Sequence, residues 1–461
     1  GLASQYPALC TSRSLTRTAG GKDVWLLTIG TGDRDSKPGI AVVGGIDGKY
    51  VLGRELALGF AANLLAGSGD KNTLDLLEKV TFYVFPDVSP DASAQYFTAL
   101  KYERSKNTRT TDEDRDFLYD EDPCEDLNGD GVITLLRIED PAGRYIESEE
   151  DKRVMVTAET EKGKTGSYSV FTEGTDNDKD GKFNEDGAGG VSFNRNLTYN
   201  YEEFGPNSGL YPVSEPETRG VVDFLYDRFN IYMVIAFGPQ DNLAEPMKAR
   251  EQPGIQSPEE SGRQGSVRRE RGPMTSILKT DETINRLVSD KYREITGLKG
   301  TPPAVKEPGS FTDWAYFHYG RYCFGTPGWW VNVDKGKNAE AEFLKFAENK
   351  KLEDVFVPWK EIIHPDFPDK KAEVGGIKPF VMYNPPADSI GSLIELHSRF
   401  IKEISSMHPE LEFLDVQTEN AGSNINRLTI KVHNKGLFAT SAESGEPNIW
   451  TRVMRLSVEP S

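Results

Sequence analysis

Histidine and cysteine are scarce in this chain. Its 461 residues hold five histidines, His318, His364, His397, His408 and His433, and three cysteines, Cys10, Cys124 and Cys323. An odd, sparse cysteine set argues against a disulfide framework and offers no metal-thiol pattern. No stretch approaches the length of apolar sequence needed to span a bilayer, and no signal peptide is visible. Positive charge is short as well: 54 Lys and Arg against 73 Asp and Glu leave a formal charge of −19. Such a field repels phosphate backbones and excludes nucleic acid as the expected partner. What is present is ordinary globular material, 37% hydrophobic and 10% aromatic, in a chain long enough for one large domain and a smaller one.

Apolar runs alternate with helical periodicity through the first half. DVWLLTIG (23–30), GIAVVGG (39–45), KVTFYVFP (79–86) and NIYMVIAF (230–237) read as buried strands. GRELALGFAANLLAG (53–67) and ETRGVVDFLYDRF (217–229) read as helices. This pattern predicts an α/β sheet packed between helices. Residues 101–190 are acidic and Gly-rich and read as a long insertion on the sheet edge, while 248–273 carries no hydrophobic period and reads as a loop. From LEFLDVQTE (411–419) the pattern turns to short alternating strands, RLTIKVHNKGLFAT and WTRVMRLSVEP, which predict a small β-sandwich, incomplete at its end. The expected division is 1–405 and 406–461.

Six segments, in order, resemble the zinc carboxypeptidase A-type metallopeptidase family in a bacterial branch. YPALCTSRSLTRTAGGKDVWLLTIG is similar to its opening, and VVGGIDGKYVLGRE to its G-G-x-H-G-x-E turn. VFPDVSPDAS, VSFNRNLTYNY, SGLYPVSEPETRGVVDFL and GSFTDWAYFHYGRYCF follow. The resemblance implies an α/β/α sandwich with a mixed sheet, and an enzyme with two His and one Glu on zinc beside a glutamate base. At the matching positions stand Asp47 and Tyr50 for the first His and the Glu, Gly238 for the second His, and Pro327 for the base. Glycine and proline side chains neither bind metal nor transfer protons. No zinc is therefore expected. His318, the nearest histidine, has no partner at ligand spacing and is expected to pack or lie at the surface.

The resemblance also implies that Asn194-Arg195 holds a substrate carboxylate, for which an arginine fork is suited. The alternative is that Arg195 only bridges local groups. Trp329 and Trp330 fall near the expected pocket mouth, where they either stack on a sugar or peptide ring or face the core.

The acidic insertion carries calcium-loop patterns. Asp126, Asn128 and Asp130 precede Gly131; Asp176, Asp178 and Asp180 precede Gly181, with Asn184 beyond; Asp112, Asp114 and Asp116 repeat the spacing, with Phe117 in place of glycine. Alternating acids in a tight turn can surround one hard cation, though no copy ends in the usual bidentate Glu. Structural Ca²⁺ is one reading, and an acidic turn satisfied by its own amides the other.

Three functions remain open at this point. One is a catalytically inactive, carboxypeptidase-like protein that binds a peptide C-terminus, a peptidoglycan-type ligand or a glycan in the old cleft. A second is an active hydrolase with a rebuilt site around Asp47. A third is a cell-surface scaffold whose cleft is unused. A secreted, periplasmic or cell-surface location is expected from the resemblance, and oligomeric state is left open.

Overall fold

A computed structural model of the chain describes residues 1–112, 119, 122–177, 179, 181, 189–250, 274–422 and 425–452. Among these, the first sheet has six strands in the order β1-β2-β4-β3-β9-β10. They are β1 Cys10–Arg17, β2 Asp23–Ile29, β3 Gly39–Val43, β4 Thr81–Phe85, β9 Ile231–Phe237 and β10 Tyr322–Thr326. The pairs β4–β3, β3–β9 and β9–β10 are parallel, while β1–β2 and β2–β4 are antiparallel, so the sheet is mixed.

Every residue of β3, β4, β9 and β10 is buried, as near-continuous apolar runs in a two-sided sheet require. Successive side chains alternate between two cores. Ile40 and Val42 of β3, with Met233, Ile235 and Phe237 of β9, face a cluster containing Leu52, Leu56 and Phe60, Tyr292, Phe400 and Ile401. These come from the helices Val51–Ala66, Lys279–Thr296 and Ile390–Ser405. Ala41 and Val43, with Val234 and Ala236, face the opposite cluster, which holds Val221, Leu225, Phe311 and Trp314 from the helices Pro216–Asp227 and Phe311–Phe317. The layers are thus helix, sheet, helix. Each such side chain contributes about 1.5–3 kcal/mol by leaving water, which makes this sheet the rigid frame on which loops are hung.

Residues 101–190 do more than decorate an edge. They supply β5 Leu135–Glu139, β6 Tyr145–Glu147, β7 Met155–Thr157 and β8 Tyr168–Thr172. These join β11 Phe356–Ile362 and β12 Ala372–Ile377 in a second sheet ordered β11-β12-β5-β8-β6-β7. Its core is small: Leu136, Ile138, Ala372 and Val374. Arg137 compensates by laying its guanidinium 4.3 Å from the Trp359 ring and pairing with Glu373 at 2.9 Å.

Among the described residues the C-terminal strands form a two-stranded antiparallel sheet, β13 Leu411–Gly422 and β14 Ile425–Asn434, within the small β-unit that the alternation predicts. The expected strand at 453–459 and most of the loop at 248–273 lie outside the described residues. No helix among the described residues is long and apolar enough to cross a membrane.

Candidate functional site

In an open α/β sheet, loops leaving the C-terminal ends of parallel strands converge on one crevice. Here β3 runs into Gly44-Gly45-Ile46-Asp47, β9 into Gly238 and β10 into Pro327. The turn after β3 needs glycine: Gly45 has φ +63°, and a Cβ there would come within 2.3 Å of Asp87 Oδ1. The three strand ends touch. Gly238 N–H donates to the Thr326 carbonyl at 3.1 Å, and a Cβ on Gly238 would meet Ile46 Cβ at 3.0 Å. Residues named from widely separated segments are therefore neighbours in space.

Asp47 is the ionisable member of this group and is only 4% exposed. Burial pushes its carboxyl up to about 6; Lys49 opposes the shift, while Glu307 and Glu103 add to it. Its Oδ1 accepts the Lys49 backbone N–H at 2.9 Å. The Lys49 ammonium lies 4.0 Å from Glu103 Oε2. Burial works to pull that ammonium down, but Asp47 and Glu103 together hold it above its ordinary value. Glu103 is itself pushed up by burial, against a hydrogen bond at 2.9 Å from the Phe380 N–H.

Tyr50 caps the helix Val51–Ala66, and its ring packs 5.0 Å from that of Tyr383. Burial, reinforced by Asp47, drives the phenol far above its usual range. A neutral phenol offers no charge where the resemblance calls for a carboxylate. The donor set at the strand ends is one carboxylate, one protonated phenol, a glycine and a proline, which does not fit a tetrahedral zinc. Among the described residues no group of three or more His, Cys, Asp or Glu is arranged to hold a metal ion.

The side chains of Asn194 and Arg195 take different partners. The Asn194 side chain is wholly buried; its amide donates to Gln240 Oε1 at 3.1 Å and Glu307 Oε2 at 2.5 Å, and its oxygen accepts the Phe311 N–H at 3.0 Å. Both amide hydrogens and one lone pair of the oxygen are thus engaged in tying three segments together. Arg195 donates to the Pro206 carbonyl at 2.8 Å. Gln240, nine-tenths buried, has an amide nitrogen with no hydrogen-bond partner among the described residues. Lys49, Glu103, Gln240, Glu307 and Tyr383 were not found from sequence; they come from loops whose convergence no local pattern announces.

A cavity of about 840 Å³ opens beside the site, lined by Tyr96, Trp329, Phe343, Phe380 and Asn384. Asn384 ties it to the site by accepting the Leu52 N–H at 2.9 Å and donating to the Lys49 carbonyl at 2.8 Å. Trp329 thus reaches a cavity wall, whereas Trp330 donates its indole N–H to the Lys299 carbonyl at 3.1 Å. His318 shares a 2.7 Å hydrogen bond with Thr198 and is lowered by burial.

In the acidic turn at 126–130, Asp126 Oδ1 accepts N–H groups of Gly129 and Asp130 at 2.7 and 3.1 Å, and its Oδ2 that of Gly131 at 2.8 Å. Asn128 and Asp130 bond each other at 3.1 Å. Asp176 accepts the Gly181 N–H at 3.0 Å. Asp112 is half-buried. Asp114, Asp116, Asp178, Asp180 and Asn184 lie outside the described residues.

Residues 1–132 match the family model described as zinc carboxypeptidase. No curated protein matches the chain. Among solved structures, thrombin activatable fibrinolysis inhibitor is similar at a TM-score of 0.46 and 12% identity, over 88% of this chain and 70% of that one. Carboxypeptidase A from Helicoverpa armigera follows at 0.41 and 14%, over 76% and 69%. A metallo-carboxypeptidase from Pseudomonas aeruginosa, solved with (2-guanidinoethylmercapto)succinic acid, is similar at 0.34 and 11%, over 70% and 57%. Over residues 1–132 the chain is thus similar to zinc carboxypeptidases, in agreement with the resemblance read from its motifs there.

Proposed function

We propose that this carboxypeptidase-like protein no longer cleaves peptides and uses its cleft to bind a peptide or glycan. One observation carries the reading: Asp47, Gly238 and Pro327 meet at the ends of β3, β9 and β10, where the resemblance calls for a ligand, a ligand and a base. One buried carboxylate replaces a set of donors that hydrolysis through zinc requires. The adjoining aromatic cavity supplies apolar surface for binding. Asp47, Glu103 and Glu307 favour a ligand that brings an amine or hydroxyl to the cleft floor over one that brings a free carboxylate. Structural calcium in the acidic turns and an extracytoplasmic location complete the proposal.

The test pairs two measurements on the full chain: release of C-terminal amino acids from a peptide panel after incubation with zinc, and equilibrium binding of the same peptides and of oligosaccharides. Binding without release supports the reading. Zinc-dependent release overturns it.

The raised Asp47 carboxyl, facing Glu103 and Glu307, favours a second reading, a rebuilt acid–base site. It requires zinc-independent hydrolysis that Asp47→Asn abolishes.

A further inference from the structure

At the other end of the same sheet, where β3 and β9 begin, a groove of about 420 Å³ lies between β1, β2, the loop 30–37 and the end of the helix Pro216–Asp227. Three arginines line it: Arg13 from β1, Arg34 from the loop and Arg228 at the helix C-terminus. The guanidiniums of Arg13 and Arg228 both approach the Phe224 ring, with centroid distances of 5.2 and 5.0 Å. The aromatic ring attracts each cation, and both arginines line the same groove.

Their charge is only partly cancelled by the protein. The Arg13 side chain makes no hydrogen bond or ion pair among the described residues, its backbone pairing with Leu26 in the β1–β2 ladder. Arg34 donates only to neutral acceptors, the Gly30 carbonyl at 3.0 Å, Thr11 Oγ1 at 3.2 Å and the Ala8 carbonyl at 3.4 Å. Arg228 Nε stands 3.3 Å from Asp35 Oδ1, an ion-pair distance, yet it is buried and lacks an aligned hydrogen bond. Asp35 is shared, since it also accepts the Tyr83 hydroxyl at 2.9 Å. Asp33, the other acid of the groove, accepts the Asp35 N–H at 3.2 Å. Three permanent cations therefore face two carboxylates, in a chain whose formal charge is −19. Like charges lining one groove repel, and a bound anion relieves that repulsion.

We propose that this groove binds a tetrahedral oxyanion, the sulfate or phosphate group of a ligand, between the forks of Arg13 and Arg228. Planar guanidiniums match such oxygens in pairs, and Thr28, on the same face of the sheet as Arg13, lines the same groove.

Isothermal titration calorimetry with sodium sulfate, sodium phosphate and sodium acetate at equal ionic strength tests it. Wild type should show saturable binding of sulfate, phosphate or both, and none of acetate; whichever tetrahedral anion binds more tightly identifies the group. Arg13→Ala and Arg228→Ala should each weaken that binding about tenfold, the worth of one charge-assisted contact, and Arg286→Ala on a distant exposed helix should not. Circular dichroism checks folding, and the exposed substitution Arg13→Gln serves if Arg228→Ala does not fold. Absence of saturable binding by wild type, or equal binding by folded Arg13 variants and wild type, overturns the proposal.

Discussion

The two ends of the main sheet treat charge in opposite ways. At the C-terminal ends, Asp47, Glu103 and Lys49 are drawn inward, and burial moves the carboxyls toward neutrality. At the N-terminal ends, Arg13 is exposed and Arg228 half-buried, and a guanidinium keeps its charge at any ordinary pH. A residue count therefore misstates where ionised charge lies. The acids of the site are weak because the same strands that gather them exclude water, while the arginines stand at an edge where solvent keeps them charged.

The largest expected effect is at the acidic end. Because the Asp47 carboxyl is raised, the folded chain holds this proton to higher pH than the unfolded chain. The stability this provides is present below 3.8 and is lost as pH rises to about 6. Asp47→Asn should therefore raise stability at pH 8 by roughly 1–3 kcal/mol and change little at pH 4, followed by thermal melts at both. A stability loss at pH 8 would mean that the Lys49 pairing outweighs desolvation.

Gly238→Ala should cost about 1–3 kcal/mol in chemical denaturation, because its methyl must displace Ile46 where the strand ends meet. A neutral result would separate those ends and weaken the site as drawn. At the arginine end, sulfate affinity should stay flat between about pH 5 and pH 9, since no arginine titrates there. A slope would contradict binding by the arginine forks alone. The smallest effect belongs to Arg195→Ala, within about 0.5 kcal/mol by melting temperature, as its side chain makes one exposed hydrogen bond, to Pro206, among the described residues.

Much of the main sheet was legible because its strands are continuous apolar runs and its helices have clean periodicity. β3, β4 and β9 fall within the predicted segments, as do most residues of the helices Val51–Ala66 and Pro216–Asp227. The second sheet was not legible: β6 and β7 have three residues each, too short for period 2 to declare itself, and β5 is completed by β12, far along the chain. At the site, motif order placed Asp47, Gly238 and Pro327, which the fold gathers. Glu103 and Glu307 have no motif, and only packing brings their charge to bear on Asp47. Asn194 was read for its chemistry, but its use depends on neighbours, and Gln240, Glu307 and Phe311 occupy it.

The most direct measurement is zinc stoichiometry by elemental analysis, on protein purified without chelator and again after incubation with zinc and removal of the unbound ion. Far less than one zinc per chain in both samples is the expected result, with calcium determined alongside. One zinc per chain, lost on Asp47→Asn, would contradict the account and place a working metal centre at the ends of β3, β9 and β10.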